Sequence, residues 1–252
     1  MELTLKDKVA VVTGAGGGIG VAYSRALAQA GARVVLADIN ELAAAAAAKE
    51  LEADGLECLA VQADVADEAS AAAMAKAAIE RFGGIDILVN NAALMAAIPL
   101  GQPLSDIPID FWERVMRVNL TGALICIQAV LPAMKERGRG KIINQSSGAA
   151  FIPAGVYGVT KLGLVSLTVS LARELAPLDI NVNAIAPGFV GTDAAARSQP
   201  EGFENIVEQM VALKGIGDTD DVTGALIFLA SSASDWITGQ TLNVDGGWIM
   251  RI

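Results

Sequence analysis

The sequence predicts a single α/β domain whose centre is a doubly wound, seven-stranded parallel sheet. Short apolar runs alternate with helical patterns along all 252 residues, and this alternation is typical of a parallel sheet covered by helices on both faces. The runs span residues 8 to 13, 33 to 38, 56 to 62, 85 to 90, 140 to 146, 180 to 186 and 240 to 244. One domain over residues 1 to 252 accounts for the length, and 53% hydrophobic residues supply one extensive core.

The first run, residues 8 to 13, leads into a glycine-rich loop, Gly14 to Gly20, and then into an apolar helical pattern that Gly31 ends. Glycines let the backbone approach a pyrophosphate, and a helix N-terminus presents N–H groups and a partial positive charge to it. The loop has the form Thr-Gly-x-x-x-Gly-x-Gly rather than Gly-x-Gly-x-x-Gly, since Ile19 stands where the last glycine would be. We predict a dinucleotide phosphate site; the alternative is a glycine-rich turn without a ligand.

The second run ends at Asp38, which lies 24 residues after Gly14. An acid about 20 residues after the first glycine is placed to accept hydrogen bonds from the adenosine ribose, and its charge repels a 2′-phosphate. Neither the glycine loop nor the two residues after Asp38 supplies a Lys or Arg. We therefore expect NAD rather than NADP. The alternative is that Asp38 caps the helix that begins near Glu41.

One of the two tyrosines, Tyr157, lies four residues before Lys161. The pKa of a free phenol is about 10, so proton transfer at neutral pH requires a stabilised phenolate, and a lysine one helical turn away provides positive charge. We expect the pKa of Tyr157 to be lowered by roughly three units. The chain has no histidine, which excludes Ser-His-Asp hydrolysis and imidazole acid/base catalysis. The alternative is a tyrosine that covers a helix start beside a solvated lysine.

Composition narrows the classes of partner. A net charge of −10 opposes binding to nucleic acid or to an anionic membrane. Cys58 and Cys126 have no metal-ligand spacing and are expected to be small buried hydrophobes without a disulfide, so no metal is predicted. The alanine-rich segment 43 to 48 is predicted to be helical, and the most apolar stretch, residues 123 to 134, is shorter than the roughly 18 residues of a membrane span. The N-terminus has no apolar export segment, so we expect a cytoplasmic protein.

Together these motifs resemble those of the classical short-chain dehydrogenase/reductase (SDR) family over essentially the whole chain, which implies a Rossmann-type fold. Four further motifs of the family are Asp64-Val65, Asn90-Asn91-Ala92-Ala93, Arg117-Val118-Asn119-Leu120 and Pro187-Gly188-Phe189-Val190-Gly191-Thr192. The resemblance implies four catalytic residues: Asn119, Ser147, Tyr157 and Lys161. It implies cofactor contacts by Gly14, Gly18, Ile19, Gly20, Asp38, Asp64, Val65, Asn91, Tyr157, Lys161, Pro187, Gly188, Val190 and Thr192.

The resemblance also implies a role for each catalytic residue. Tyr157 would exchange the proton of the substrate hydroxyl while hydride passes to or from the nicotinamide, and Ser147 would hydrogen-bond the substrate oxygen. Lys161 would lower the pKa of Tyr157 and bind the nicotinamide ribose, and Asn119 would anchor a relay water. Ser146 is the alternative to Ser147, because the spacing of Ser147 to Tyr157 is about three residues shorter than the family commonly shows. Strand alternation favours Ser147, because it would keep Ser147 on the same face of the strand as Gln145. Ala93 replaces a glycine usual in the family.

Two further expectations concern the pocket and the assembly. Residues 94 to 100, 148 to 156, 189 to 210 and 248 to 252 are expected to line a pocket with few charges, which suits a neutral hydrophobic substrate. The resemblance predicts a homotetramer in which helices at about 111 to 136 and 156 to 175 pair with their symmetry mates. The apolar positions on these helices are Leu124, Ile127, Val130, Leu164, Leu167 and Leu171, and part of this set must face the protomer's own sheet.

The sequence thus predicts an oxidoreductase that transfers hydride between NAD(H) and a small neutral secondary alcohol or ketone. One alternative is a 3-oxoacyl thioester reductase of the same fold, which basic residues around the pocket would favour; segment 189 to 210 has only Arg197. A second alternative is a non-catalytic dinucleotide-binding protein, which the loss of Tyr157 or Lys161 would favour.

Overall fold

A computed structural model describes residues 3–95, 103–192, 202–213 and 215–250, apart from the side chains of residues 203 and 204. The described strands form one seven-stranded parallel sheet with the order β3-β2-β1-β4-β5-β6-β7. Their bounds are β1 Val9–Thr13, β2 Arg33–Asp38, β3 Cys58–Gln62, β4 Ile87–Asn90, β5 Gly140–Gln145, β6 Ile180–Pro187 and β7 Thr241–Val244. The strand order reverses between β1 and β4, so the predicted doubly wound sheet is confirmed.

Helices cover both faces of the sheet. Their bounds are α1 Gly18–Gln29, α2 Glu41–Ala53, α3 Glu68–Phe82, α4 Ile109–Met116, α5 Gly122–Arg137, α6 Gly155–Leu175, α7 Phe203–Met210 and α8 Thr223–Ala230. One core lies between the sheet and α3, α5 and α6, and the other lies between the sheet and α1, α2 and α8. Strand alternation divides β1 between them, because Val9 and Val11 enter the first core while Ala10 and Val12 enter the second.

The strands are displaced slightly from the predicted runs. β3 and β4 begin two residues later than expected, β5 ends at Gln145, and β6 continues to Pro187. At the end of β5, the Ser146 N–H donates to the carbonyls of both Asn144 and Ile185, and the chain then turns away from the sheet. Hydrophobic runs indicate where a strand is buried, whereas hydrogen bonds of this kind decide where it ends.

Two helical stretches, residues 109–137 and 155–178, are long and apolar enough by length and composition to cross a membrane. The first exceeds the sequence-based estimate because a π-helical turn, Arg117–Thr121, joins α4 and α5 without a break. Both stretches pack on the sheet, where Ile127, Val130, Leu164 and Leu171 are buried. Burial against the sheet accounts for much of their apolar character. Four of the six apolar positions considered for the tetramer interface therefore belong to the protomer's own core.

Candidate active site

The glycine loop after β1 forms a tight turn that only glycine permits at two positions. Gly14 has a φ of +64°, and a Cβ there would lie 2.7 Å from the Ala92 Cα. A Cβ at Gly20 would lie 2.1 Å from the Gly14 carbonyl oxygen. The Asn91 side chain holds the turn from the end of β4, because its Nδ2 donates to the Thr13 and Gly14 carbonyls, both at 2.9 Å.

This loop fits the pyrophosphate of a dinucleotide. Gly17 is the N-cap of α1 and has no side chain that could satisfy the first N–H groups of the helix. A Cβ at Gly17 would meet no atom within 4 Å, so the approach to the helix N-terminus is open. Uncapped N–H groups and the positive end of the helix dipole are the features that bind phosphate. The predicted residues Gly18 and Ile19 begin α1, and Gly20 lies in its first turn.

Asp38 lies beside this loop at the end of β2. Its Oδ2 accepts a hydrogen bond from the Gly16 N–H at 2.8 Å, and its Oδ1 accepts one from the Asn40 N–H at 2.9 Å. The N-cap of α2 is Asn40, whose side chain accepts from the Ala43 N–H. The capping alternative for Asp38 is therefore wrong, and its carboxylate faces the glycine loop.

Asp64 and Val65 follow β3 and lie close to α5. The Asp64 Oδ1 accepts a hydrogen bond from the Ala66 N–H at 2.9 Å, and its own N–H donates to the Ser70 hydroxyl. Val65 packs against Gly122, where an added Cβ would lie 2.9 Å from the valine Cγ2. The turn therefore has one defined conformation, with the predicted adenine contacts at the carboxyl end of β3.

The loop after β6 closes the cofactor region from the other side. The Gly188 N–H donates to the Val244 carbonyl at 3.0 Å, and Val190 forms a bridge with Gly217. The loop then reaches the start of α1, where a Cβ added to Gly18 would lie 3.4 Å from the Thr192 Cγ2. The predicted segment from Pro187 to Thr192 and the glycine loop are thus neighbours at the carboxyl edge of the sheet, which is where ligands of such sheets bind.

Ser147, Tyr157 and Lys161 converge after β5. Ser147 caps a short 3-10 turn, Gly148–Phe151, and its side chain lies near enough to the Tyr157 phenol to lower its pKa. Lys161 lies one turn further along α6, with Nζ 5.5 Å from the centroid of the Tyr157 ring. Lys161 is 1% exposed, and its Nζ donates to the Gln145 carbonyl at 2.7 Å. The alternative of a solvated lysine is therefore wrong.

The expected lowering of the Tyr157 pKa is also wrong for the chain without its cofactor. Burial raises the pKa of Tyr157 to about 12, and the hydrogen bond to Ser147 offsets part of that rise. Burial lowers the pKa of Lys161 to about 7. The physical reason is that both groups leave water, which disfavours the charged form of each. The sequence shows that Tyr157 and Lys161 are four residues apart, but it does not show that both side chains are removed from water.

The two neighbouring serines have different surroundings. The Ser146 hydroxyl is buried and donates to the Lys161 carbonyl at 2.9 Å, so it ties the end of β5 to α6. Ser147 is partly exposed, accepts a hydrogen bond from the Ala149 N–H at 3.1 Å and contacts Tyr157. The structure thus brings Ser147, rather than Ser146, to the predicted acid/base.

Asn119 lies in the π-helical turn and is 1% exposed. Its Oδ1 accepts a hydrogen bond from the Leu94 N–H at 2.7 Å, and its Nδ2 donates to the Leu94 carbonyl at 3.1 Å. The side chain therefore positions the loop that follows β4, which is an expected pocket wall. π-helical turns are frequent at functional sites because they place one residue out of the regular helical register.

Sequence reasoning missed two contacts of this region. Tyr23, the second tyrosine, donates a hydrogen bond from its hydroxyl to the Gln145 Oε1 at 2.7 Å beneath the site. Trp248 contacts Phe189, with ring centroids 4.3 Å apart. Trp248 and Phe189 lie in segments that were expected to line the pocket, but no spacing in the sequence indicates that residues so far apart are in contact. Parts of the expected walls, residues 96–100, 193–201 and 251–252, lie outside the described residues.

Among the described residues, no group of three or more His, Cys, Asp or Glu side chains could hold a metal ion. Cys58 and Cys126 are both buried and not disulfide-bonded, as predicted.

Comparison with known proteins identifies the family. A family model described as enoyl-(acyl carrier protein) reductase matches residues 14–249. An uncharacterized oxidoreductase of Mycobacterium tuberculosis is 48% identical over 245 residues, which cover 97% of this chain and 98% of the relative. Sorbitol dehydrogenase of Cereibacter sphaeroides is 41% identical over 261 residues, which cover 97% of this chain and 98% of that enzyme.

A solved structure agrees over the same length. The crystal structure of a short-chain type dehydrogenase/reductase from Mycobacterium marinum has a TM-score of 0.91 and 31% identity, and the match covers 99% of this chain and 98% of that one. This chain therefore belongs to the classical short-chain dehydrogenase/reductase family, whose members are oxidoreductases that use nicotinamide dinucleotides.

Proposed function

We propose that this protein is an NAD-dependent dehydrogenase or reductase that interconverts small, neutral, hydrophobic secondary alcohols and ketones, with Tyr157 as acid/base. The observation that carries the proposal is that Ser147, Tyr157 and the buried amine of Lys161 come together after β5. This cluster lies at the same edge of the sheet as the glycine loop. The hydroxyl groups of Ser147 and Tyr157, beside a dinucleotide site, are suited to hydrogen-bond a substrate that has one reacting oxygen.

In the proposed oxidation, the Ser147 hydroxyl hydrogen-bonds the substrate oxygen, and the Tyr157 oxygen takes the hydroxyl proton. A nicotinamide dinucleotide, when bound by the glycine loop and Asp38, would supply the redox chemistry as acceptor of the substrate hydride. In reduction, Tyr157 returns the proton to the carbonyl oxygen. Asn119 positions the loop after β4 through its two hydrogen bonds to Leu94, and a relay water is proposed beside this residue.

The perturbed pKa values suit a coupled pair. Because burial raises the pKa of Tyr157 and lowers that of Lys161, the protonated phenol is the form present at neutral pH, ready to donate in reduction. For oxidation, a phenolate and an ammonium on neighbouring turns of α6 stabilise each other, since each charge favours the other. The phenolate that accepts the substrate proton is therefore most populated when Lys161 is protonated.

The preference for NAD is proposed from Asp38. Its carboxylate faces the glycine loop and accepts the Gly16 N–H, where it would accept ribose hydroxyls and repel a 2′-phosphate. We expect the wild type to have a higher kcat/KM with NAD than with NADP, and Asp38→Ala to narrow that ratio. The two cofactors are compared with one alcohol at saturation. A wild-type preference for NADP would show that Asp38 does not select the cofactor.

The neutral substrate class is proposed from the composition of the described walls. Leu94, Met95, Phe151, Ile152 and Phe189 are all partly buried and apolar. Apart from Lys161, which is committed to Tyr157 and the ribose, the described walls offer no cationic partner. A carboxylate that enters such a site therefore loses its hydration at a cost of several kcal/mol. A screen of secondary alcohols with NAD, followed by absorbance of NADH, tests the activity. A matched pair of alcohols ending in phenyl or carboxylate tests the class, and a higher kcat/KM for the carboxylate would contradict it.

A reductase of carrier-bound thioesters is the second candidate, and the description of the matching family model favours it. Turnover of a 3-oxoacyl thioester above that of every simple ketone would support this candidate instead. A non-catalytic dinucleotide-binding protein has less support, because Tyr157 and Lys161 are both present and adjacent.

The assembly is proposed to be a cytoplasmic homotetramer. Although much of the apolar surface of α5 and α6 faces the protomer's core, Val159, Leu162 and Val169 on α6 are exposed at helical spacing. A symmetry mate packed on this face would cover them. Light scattering should give about four times the 25.8 kDa of the chain, and a monomer mass at micromolar concentration would contradict the assembly.

A further inference from the structure

We infer that Trp248 and Phe189 form an aromatic wall of the substrate site, and that this wall favours alcohols and ketones with an aryl ring on the reacting carbon. The inference rests on the proposed function and narrows its substrate class. The two residues lie 59 positions apart in the chain, and they meet because β6 and β7 are neighbours whose following segments turn toward each other.

The wall lies against Gly148, the residue that follows Ser147. The ring centroids of Trp248 and Phe189 are 4.3 Å apart with an interplanar angle of 41°. The indole also rests on the backbone of Gly148, where an added Cβ would lie 2.6 Å from Cζ3 and 2.7 Å from Cε3. Gly148 is thus a position where any side chain would displace the indole. Both aromatic side chains are partly exposed, so part of their surface is available to a ligand.

A compact turn holds Trp248 in this place. The Asp245 carboxylate accepts hydrogen bonds from the N–H groups of Gly247 at 3.0 Å and Ile249 at 2.9 Å, on either side of the tryptophan. The Trp248 N–H itself donates to the Asp245 carbonyl at 3.1 Å. The turn is wedged against the loop after β6, since a Cβ at Gly188 would lie 2.7 Å from the Asp245 Cα. The indole is therefore pre-positioned before a substrate arrives, which reduces the entropy cost of contact.

Geometry relates this wall to the reacting carbon. A substrate oxygen that is hydrogen-bonded to both Ser147 and Tyr157 lies about 2.6–3.2 Å from each hydroxyl. The carbinol carbon is one bond further, and we place one of its substituents past Gly148, where the indole of Trp248 lies. An aryl ring there gains an edge-to-face or offset interaction in addition to burial of its area. A saturated ring of the same size gains burial alone.

The test compares acetophenone with cyclohexyl methyl ketone, which share the reacting carbonyl and differ in the aromaticity of the ring. The measured quantity is the ratio of kcat/KM for the two ketones with NADH. Comparing this ratio between variants cancels the intrinsic reactivity of each ketone. We expect Trp248→Leu to lower the acetophenone to cyclohexyl ratio by about 3- to 10-fold, whereas Trp248→Phe retains most of it.

Trp236→Leu is the matched control. Trp236 is fully exposed near the start of β7, at the opposite edge of the sheet, so the same chemical change there should leave the ratio within about twofold of the wild type. The Kd for NADH should be unchanged in all three variants. Phe189→Leu removes the other ring and should lower the ratio in the same direction, so the test does not depend on the folding of one variant.

An unchanged ratio in Trp248→Leu and Phe189→Leu, with both ketones still reduced, would overturn the aromatic wall and leave the proposed function intact. An equal loss in Trp236→Leu would also overturn it. If the wild type reduces neither ketone and oxidises a polyol such as sorbitol instead, the proposed function fails first and the wall fails with it.

Discussion

Two buried lysines lie at opposite edges of the sheet and differ in what surrounds their charge. Lys141, near the start of β5, donates to the Asp235 carboxylate at 2.7 Å and to the Asn181 side chain at 2.8 Å. Lys161, near the end of β5, donates to the Gln145 carbonyl, which is neutral. Lys141 is 6% exposed and Lys161 is 1% exposed, so burial alone does not distinguish them.

The difference indicates which end of the strands is suited to proton transfer. A buried ammonium that is paired with a carboxylate belongs to an ion pair, and that ion pair connects secondary-structure elements. A buried ammonium that is held by a carbonyl is poorly stabilised, and burial lowers the pKa of Lys161 to about 7. A group of this kind responds to a nearby phenolate or ligand charge, and such perturbed groups cluster at functional sites.

The largest expected effect comes from removing each lysine in turn. Lys161→Met should reduce kcat by at least about 10²-fold, because it removes the charge that stabilises the Tyr157 phenolate. Lys141→Met is the matched control and should retain kcat within about threefold, since it changes only the opposite edge. Both variants are assayed with saturating NAD and alcohol. Comparable losses of kcat in the two variants would show that the two lysines do not differ in their importance for catalysis.

The next effect separates the neighbouring serines. Ser147→Ala should lower kcat/KM by about 10- to 100-fold, because it deletes a hydroxyl that contacts Tyr157 and the substrate oxygen. Ser146→Ala should retain kcat/KM within about threefold and instead lose about 1 kcal/mol of unfolding free energy, because its buried hydroxyl donates to the Lys161 carbonyl. Steady-state kinetics and urea unfolding of both variants measure the two effects. A loss of kcat/KM in Ser146→Ala, with kcat/KM retained in Ser147→Ala, would make Ser146 the substrate-binding serine.

The last effect is on the free energy of unfolding and its dependence on pH. Lys141→Met should lose about 1 to 2 kcal/mol of unfolding free energy, because its hydrogen bonds to a carboxylate and an amide are removed. The pKa of Lys161 is lowered by burial to about 7, so between pH 7 and 10 the unfolded chain binds more protons at this site than the folded chain. The contribution of Lys161 to the free energy of unfolding therefore rises with pH, by at most about 1.4 kcal/mol per pH unit.

Urea unfolding at pH 7 and pH 9.5 of the wild type and of Lys161→Met measures this dependence. The stability of the wild type relative to the variant should increase at the higher pH. The raised pKa of Tyr157, about 12 through burial, has the opposite effect only above pH 10. A constant difference between the two proteins would mean that Lys161 stays charged in the folded chain.

The fold could be predicted because its information is local. Runs such as Val9 to Thr13 are apolar on both faces, and a parallel sheet buries both faces. The site residues could be placed together for a related reason, because parallel strands bring the segments after Thr13, Asn90 and Gln145 to one edge. The predicted strand bounds were wrong by up to two residues, because hydrogen bonds rather than hydrophobicity decide where a strand begins and ends.

The remaining features depend on three-dimensional surroundings. The pKa of Tyr157 is raised by burial rather than lowered, and desolvation is not readable from a spacing of four residues. The cap of α2 is Asn40 rather than Asp38, although both are good capping residues, because Asp38 is held by the glycine loop. The contact between Trp248 and Phe189 needs two strands to be adjacent, which no local pattern encodes.

The central claim is that the phenol of Tyr157 transfers the substrate proton, and Tyr157→Phe tests it most directly. The substitution keeps the ring and its packing and deletes only the hydroxyl. We predict that kcat falls by at least about 10²-fold while the Kd for NADH, measured by fluorescence titration, stays within about twofold of the wild type. Turnover within a few-fold of the wild type in a folded Tyr157→Phe variant that binds NADH would contradict the account.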